Sequence, residues 1–274
     1  MFTFIKSVIL GFISGCAQIL PISSRAHKGI LLKIFGMQSS VPFSDLLIHI
    51  GVIAAVYYTC SQAISEIRRE GRSLPRGKGR TYRTPAFFDR KLLKTAWIPM
   101  VLCQLLILTT SGMNSKLLYI ALFLAINAAI LFLQDHASHG NRNASHFSAV
   151  ESILFGFSSI LSCFPGVSRV GVMLSFGVIR GADQQKVVDW VLLLTIPATI
   201  LLCIFDLITI MTVGFGITSF LTFLYCLISG ITAFAGAYLA IRLIKSLAAN
   251  NGFSVFSYYC LGAALLSVVL YLIS

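Results

Sequence analysis

Acidic side chains are scarce in this chain. Nine Asp and Glu stand against 21 Lys and Arg in 274 residues, and charged residues make up only 11%. Soluble domains carry about 25% charged residues, so a water-soluble globule is excluded. The seven cysteines stand singly at 16, 60, 103, 163, 203, 226 and 260, with no Cys-x-x-Cys spacing. They imply neither disulfides nor a metal centre and read as small apolar side chains within helices. No ordinary secretory leader is legible either. Ile13-Ser14-Gly15-Cys16 is similar to a lipoprotein cleavage box. Cleavage there would remove the front of a motif that the rest of the chain depends on, so the segment is expected to stay.

What is present instead is apolar. Hydrophobic residues make up 57% of the chain, and the mean hydropathy is +0.89. Runs long enough to cross ~30 Å of hydrocarbon recur along it, which gives a single integral membrane domain over 1–274. Ten of the basic residues lie between Arg68 and Lys94. That reads as a cytoplasmic loop, about 64–94, facing anionic membrane lipids, and not as a nucleic-acid surface. Gly71, Pro75, Gly77 and Gly79 are expected to break any long helix in it.

Two short stretches organise the remainder: Pro21-Ile22-Ser23-Ser24-Arg25 and Pro165-Gly166-Val167-Ser168-Arg169. An offset of 144 superimposes Pro on Pro, Ser24 on Ser168 and Arg25 on Arg169, and also pairs Ser14 with Ser158 and Asp45 with Asp189. Matching polar residues are costly in an apolar setting. The offset therefore points to a duplication, with repeat 1 at about 1–134 and repeat 2 at about 148–274.

Each motif follows an apolar run too short to cross a bilayer comfortably, 4–20 and 148–164. Each is followed by another short piece, 28–38 and 170–180. The expectation is two re-entrant helical hairpins with the Pro-Ser-Arg stretches at their tips, lining a polar cavity. Full spans are expected at about 43–63, 92–112, 116–134, 187–211, 214–241 and 253–273. The fold class is thus an all-α polytopic membrane protein with about six transmembrane helices and two re-entrant hairpins. Three spans separate the motifs, so the second hairpin enters from the opposite face, an inverted-topology repeat. With the basic loop inside, Arg142, Arg180, Lys186, Arg242 and Lys245 share its side, whereas only Lys6, Lys28, Lys33 and Lys116 face outwards. That asymmetry places both termini outside.

An arginine at membrane depth costs at least ~2.5 kcal/mol on insertion scales, so Arg25 and Arg169 need partners. Guanidinium suits bidentate phosphate binding. Opposed tips would gather Arg25, Arg169, Ser23, Ser24 and Ser168 into an anion site. The alternative is a pair of buried ion pairs with Asp45 and Asp189. Asp45 and His49, four residues apart, share one face of their span. His136, His139 and His146 have no metal-binding spacing and read as solvated, and Glu151 stands where it would cap the second hairpin.

Three of these segments carry a resemblance. Residues 11–27, Gly-Phe-Ile-Ser-Gly-Cys-Ala-Gln-Ile-Leu-Pro-Ile-Ser-Ser-Arg-Ala-His, are similar to the first motif of the bacterial undecaprenyl pyrophosphate phosphatases, the bacitracin-resistance family. Pro165-Gly-Val-Ser-Arg-Val-Gly171 resembles the second motif, and Phe43–Gly51 the helix between them. The resemblance covers essentially the whole chain. It implies a multi-pass protein of the bacterial plasma (inner) membrane that hydrolyses a C55 polyprenyl pyrophosphate to the monophosphate, recycling the cell-wall lipid carrier. It carries over Ser24, His27 and Arg169 as catalytic residues, and Ser23, Ser168, Gly171, Asp45 and His49 as substrate contacts; Arg25 and Gln18, which stand where the family has other residues, are read as substrate contacts from their own chemistry.

The departures lie in the first motif. The family's two glutamates, four residues apart and used for metal binding and proton transfer, are Ser14 and Gln18 here, and the Thr-Gly before its His is Arg25-Ala26. Later in the second motif, Val170 and Met173 replace Ser and Thr. Gln can orient a water or a phosphate but cannot act as a base or anchor a divalent cation. Mg²⁺ or Ca²⁺ therefore stays an open cofactor without its usual carboxylate ligands. The chemistry that remains is attack by Ser24 on the terminal phosphorus, with His27 or His49 as base and both arginines on the phosphoryl oxygens. The other reading is a non-hydrolytic polyprenyl-phosphate binding protein or flippase on the same fold.

Overall fold

The computed structural model describes residues 2–72, 85–113, 116–137, 140–250 and 252–273. Pro75, Gly77, Gly79 and His139 lie outside the described residues. Among those described the chain is helical: α1 (Phe4–Ile19), α2 (Ser24–Ile34), α3 (Pro42–Thr59), α4 (Ser61–Arg72), α5 (Pro85–Leu105), α6 (Leu117–Asp135), α7 (Ala149–Phe157), α8 (Arg169–Ile179), α9 (Gln184–Val213), α10 (Phe220–Ala249) and α11 (Ser254–Leu272). Tighter 3-10 turns extend α5 over Leu106–Met113 and α7 over Ser158–Cys163.

Six of these helices (α3, α5, α6, α9, α10 and α11) are long and apolar enough to cross a membrane. Large apolar side chains such as Leu133, Met211 and Leu265 stay on the outside of the bundle, as a lipid solvent permits. α1, at 16 residues, and α2, at 11, are shorter, about 24 and 16 Å at the usual helical rise. Each ends at or begins from a Pro-Ser-Arg tip.

Helix starts explain where the expected limits shift. Pro85 opens α5, because a first-turn proline loses no hydrogen bond, so the helix begins inside the basic stretch. α4 runs through Gly71 to Arg72, and that glycine, expected to break the helix, does not. The span expected from 214 starts at Phe220: Gly214 and Gly216 hold φ of 94° and 69°, and Ser219 Oγ then caps the helix by accepting from Thr222 N–H (3.2 Å). α2 starts at Ser24, earlier than expected, and Gly36 at φ 64° closes the turn after it.

Without a hydrophobic drive between helices, membrane packing rests on close backbone approach. α1 shows it against α10: a Cβ on Gly11 would lie 2.2 Å from Ser229 O, and one on Gly15 2.2 Å from Ala233 O. Packing partners then exchange between the halves. α1 packs on α10 while α7 packs on α5; α3 packs on α10 while α9 packs on α5; α3 meets α9 and α6 meets α11.

Glu151 caps α7 as its position suggested. Its carboxylate accepts from Ser148 N–H (3.0 Å) and pairs with Arg180 (2.6 Å) and Arg142 (3.2 Å). The Ser148 N–H and the Arg180 guanidinium hold its carboxyl well below the usual range, at about 2.

Candidate functional site

The two tips meet inside the bundle, and backbone geometry is what brings them together. Among the described residues Ser23 is the single non-glycine with positive φ, at 68°, a conformation that costs energy for a residue with a Cβ. It turns Ser23 Oγ to accept from Gly166 N–H of the second tip (3.1 Å). Ser168 caps α8 by accepting from Gly171 N–H (3.2 Å) and donates to Leu20 O of the first tip (3.4 Å). Asn127, fully buried in the middle of α6, ties both. Its Nδ2 donates to Pro21 O (2.9 Å) and its Oδ1 accepts from Ser168 N–H (2.8 Å). The sequence reading missed Asn127. A lone asparagine in an otherwise apolar run, Leu-Tyr-Ile-Ala-Leu-Phe-Leu-Ala-Ile-Asn-Ala-Ala-Ile-Leu, was the available signal.

A cavity of about 910 Å³ opens beside the joined tips. Gln18, Ser23, Ser24, Arg25, Asp45, His49, Ser168 and Arg169 all line it, so most of the residues chosen from sequence come together. His27 and Gly171 are not part of that lining. The His27 ring stacks on Tyr259 of α11, with centroids 5.5 Å apart and planes 9° apart. Its Nε2 meets Tyr259 OH (2.8 Å) and its Nδ1 meets Ser23 O (2.8 Å). Both nitrogens are thereby engaged, and the ring braces the turn. Gly171 is buried against Asn127 and Pro21.

Neither cavity arginine has a carboxylate partner among the described residues, which overturns the ion-pair alternative. Asp45 is held by Lys28 (2.7 Å) and by Ser40 Oγ (2.5 Å), and Asp189 by Lys245 (2.9 Å). Arg25 instead donates to Ser162 O, just ahead of the second Pro-Ser-Arg stretch, and to Thr110 Oγ1 (3.4 Å) in the turn that extends α5. Arg169 is buried, and its Nη1 donates to the Gln104 amide oxygen (3.1 Å), whose nitrogen donates to Ala198 O (3.1 Å). Both guanidiniums are anchored through neutral groups and keep their charge for something else.

Asp206 of α9 is a second residue the sequence reading passed over. Its Oδ2 accepts from His49 Nδ1–H at 2.5 Å, both side chains are about one-sixth exposed, and both line the cavity. With Nδ1 bound to a carboxylate, Nε2 is the His49 nitrogen left for the cavity. Apolar side chains, Leu32, Ile48, Ile107, Leu108, Leu202 and Phe205, complete the lining. The cavity thus carries both cationic and apolar groups, the mixture that an amphiphile with an anionic head requires.

The divalent cation implied by the family resemblance does not fit this donor set. The two carboxylates in the lining, Asp45 and Asp206, are already taken by Lys28 and His49. The described residues contain no group of three or more His, Cys, Asp or Glu placed to hold a metal. Mg²⁺ and Ca²⁺ want anionic oxygens, and Ser14 and Gln18 offer neutral ones.

Comparison with known proteins agrees with the geometry. The family model described as bacitracin resistance protein BacA matches residues 7–266. An undecaprenyl-diphosphatase of Prochlorococcus marinus is 28% identical, covering 97% of this chain and 98% of that protein. Undecaprenyl-diphosphatases of Methanobrevibacter smithii (28% identical, 93% of each chain) and Thermosipho africanus (26%, 95% of this chain and 97% of that protein) are similar along their length.

Proposed function

The chain belongs to the bacitracin resistance protein BacA family, and from that premise we propose that it is a membrane phosphatase removing the terminal phosphate of a polyprenyl diphosphate lipid. One observation carries the reading: two arginines without carboxylate partners among the described residues line, with Ser24, a cavity that also carries apolar side chains. The relatives named above are all called undecaprenyl-diphosphatase, and nothing in those names favours a non-hydrolytic lipid binder or flippase. The substrate class is the C55 diphosphate that those names carry.

In this mechanism the isoprenyl chain lies along Ile107, Leu108, Leu202 and Phe205, and the diphosphate reaches the tips. Arg25 and Arg169 take the phosphoryl oxygens, where fixed guanidinium charge is worth most as negative charge shifts in the transition state. Ser24 Oγ attacks the terminal phosphorus, its proton passes to His49 Nε2, and the bond to the bridging oxygen breaks, releasing the lipid monophosphate. Water then attacks the phosphoserine with His49 returning the proton, so inorganic phosphate leaves and Ser24 is regenerated. Asp206 orients His49 through their hydrogen bond. His27 is assigned to holding Ser23 rather than to proton transfer.

The same reading makes the chain a pair of inverted repeats with re-entrant hairpins in the cytoplasmic membrane, termini outside. The exchange of packing partners between halves supports it, as does the charge bias of the connecting segments. The test is phosphate release from a C55 or C15 isoprenyl diphosphate by purified protein in detergent. No release, with and without Mg²⁺ or Ca²⁺, would sink the proposal.

A further inference from the structure

Charge in the cavity is strongly one-sided. Arg25, Lys28, Lys33 and Arg169 line it against two carboxylates, Asp45 and Asp206, and each carboxylate is already engaged, Asp45 by Lys28 and Asp206 by the His49 ring. A divalent cation entering there would meet two anchored guanidiniums and no free anionic oxygen to offset its lost hydration. A diphosphate would meet the reverse. The wall formed by α1 is suited to the same ligand. Ser14 and Gln18, one turn apart on one face, both line the cavity and are both more than nine-tenths buried. Ser14 Oγ has no hydrogen-bond partner in the protein. A buried hydroxyl without a partner calls for one, and a hydroxyl and an amide can both donate to phosphate oxygens where carboxylates would repel them.

We infer that this site binds the diphosphate head without a divalent cation: Arg25 and Arg169 supply the counter-charge, with Lys28, shared with Asp45, beside them, and Ser14 and Gln18 of α1 donate neutral hydrogen bonds to the head. The inference rests on the diphosphate reading above and goes beyond it, because a phosphatase site holding the same lipid through a bound cation would serve that reading equally well. Lys28 is pre-positioned for the role. It lies one turn beyond Arg25 on α2, and its ammonium is held by Asp45 at 2.7 Å. The cationic rim therefore stands assembled before any ligand arrives. Electrostatics of this kind draw in an anion and disfavour a free cation by the same field.

The test measures binding separately from turnover. A non-cleavable C15 isoprenyl methylenediphosphonate is titrated into purified protein in detergent, once in EDTA and once in millimolar Mg²⁺ or Ca²⁺. The expected result is a Kd that changes by less than about twofold between the two conditions. Binding that tightens about tenfold or more with either ion overturns the inference while leaving the phosphatase reading intact. No binding under either condition overturns the diphosphate reading itself. A Ser14→Glu/Gln18→Glu variant, checked for folding by its thermal unfolding midpoint, is expected to bind weakly in EDTA and to regain affinity with Ca²⁺. Should the pair fail to fold, Gln18→Glu alone is read the same way. A folded variant as indifferent to the ions as the parent would refute the role given to these two positions.

Discussion

At the scale of single residues, the cavity separates groups that hold a phosphate from groups that move one. Arg169 is anchored by the neutral Gln104 amide, so its charge is available to a ligand. Arg169→Ala is expected to lower kcat/KM by ~10²–10³-fold, as loss of one transition-state donor does elsewhere, and to weaken diphosphonate binding as well. Ser24→Ala should instead leave that binding within about twofold while cutting phosphate release by ~10³-fold or more. Equal loss of both in the serine variant would show that Ser24 only positions the head. The two histidines divide in the same way. His49→Ala is expected to abolish turnover with binding retained, whereas His27→Phe, which keeps a ring for Tyr259 to stack on, should retain most activity and lower the unfolding midpoint.

At the scale of elements, the tips are held by very few contacts, so each contact matters. Asn127 alone joins Pro21 O to Ser168 N–H. Asn127→Leu preserves volume but strands the buried Ser168 N–H and leaves Pro21 O only the long contact from Cys260 Sγ (3.9 Å), at about 1–3 kcal/mol. A lower thermal midpoint together with reduced activity is expected; unchanged activity would mean that the tips hold without it. Crossing α1 over α10 depends on the missing Cβ at Gly15, which would sit 2.2 Å from Ala233 O. Gly15→Leu should destabilise the protein by ~1–3 kcal/mol or more through overpacking, visible as a lower midpoint in detergent. The Arg142–Glu151–Arg180 cluster ties the start of α7 to the end of α8. With the Glu151 carboxyl depressed to about 2, its contribution is present above the usual carboxylate pKa and is lost only as pH falls through that value.

For the whole molecule, topology is the testable quantity. α3 crosses between Ser39 and Gln62, so the two belong on opposite faces of the membrane. Single cysteines introduced at each, probed with a membrane-impermeant maleimide in intact cells, should label at Ser39→Cys and stay silent at Gln62→Cys until the cells are opened. The reverse pattern would invert the orientation derived from the basic residues. Labelling of both in intact cells would remove α3 as a span.

Hydropathy was enough to locate six helices long and apolar enough to cross a membrane, and the two Pro-Ser-Arg stretches to mark breaks between short helices, since both signals are local: run length decides whether a helix can cross, and a proline decides where it stops. Eight of the ten residues named from sequence, Gln18, Ser23, Ser24, Arg25, Asp45, His49, Ser168 and Arg169, line one cavity, and they were legible for the same reason, being polar groups too costly to leave in hydrocarbon without a purpose. Tertiary structure alone decided the pairings. Which partner each carboxylate takes, that Asp45 goes to Lys28 and Asp206 to His49, depends on helices apart in sequence lying side by side. So does the fate of His27, which α11 draws onto Tyr259 and out of the cavity lining. An arginine's need for a partner can be read from one helix; whether that partner is an aspartate or a neutral amide is settled by packing, because hydrogen-bond and ionic contacts act over a few ångströms and carry no trace along the chain.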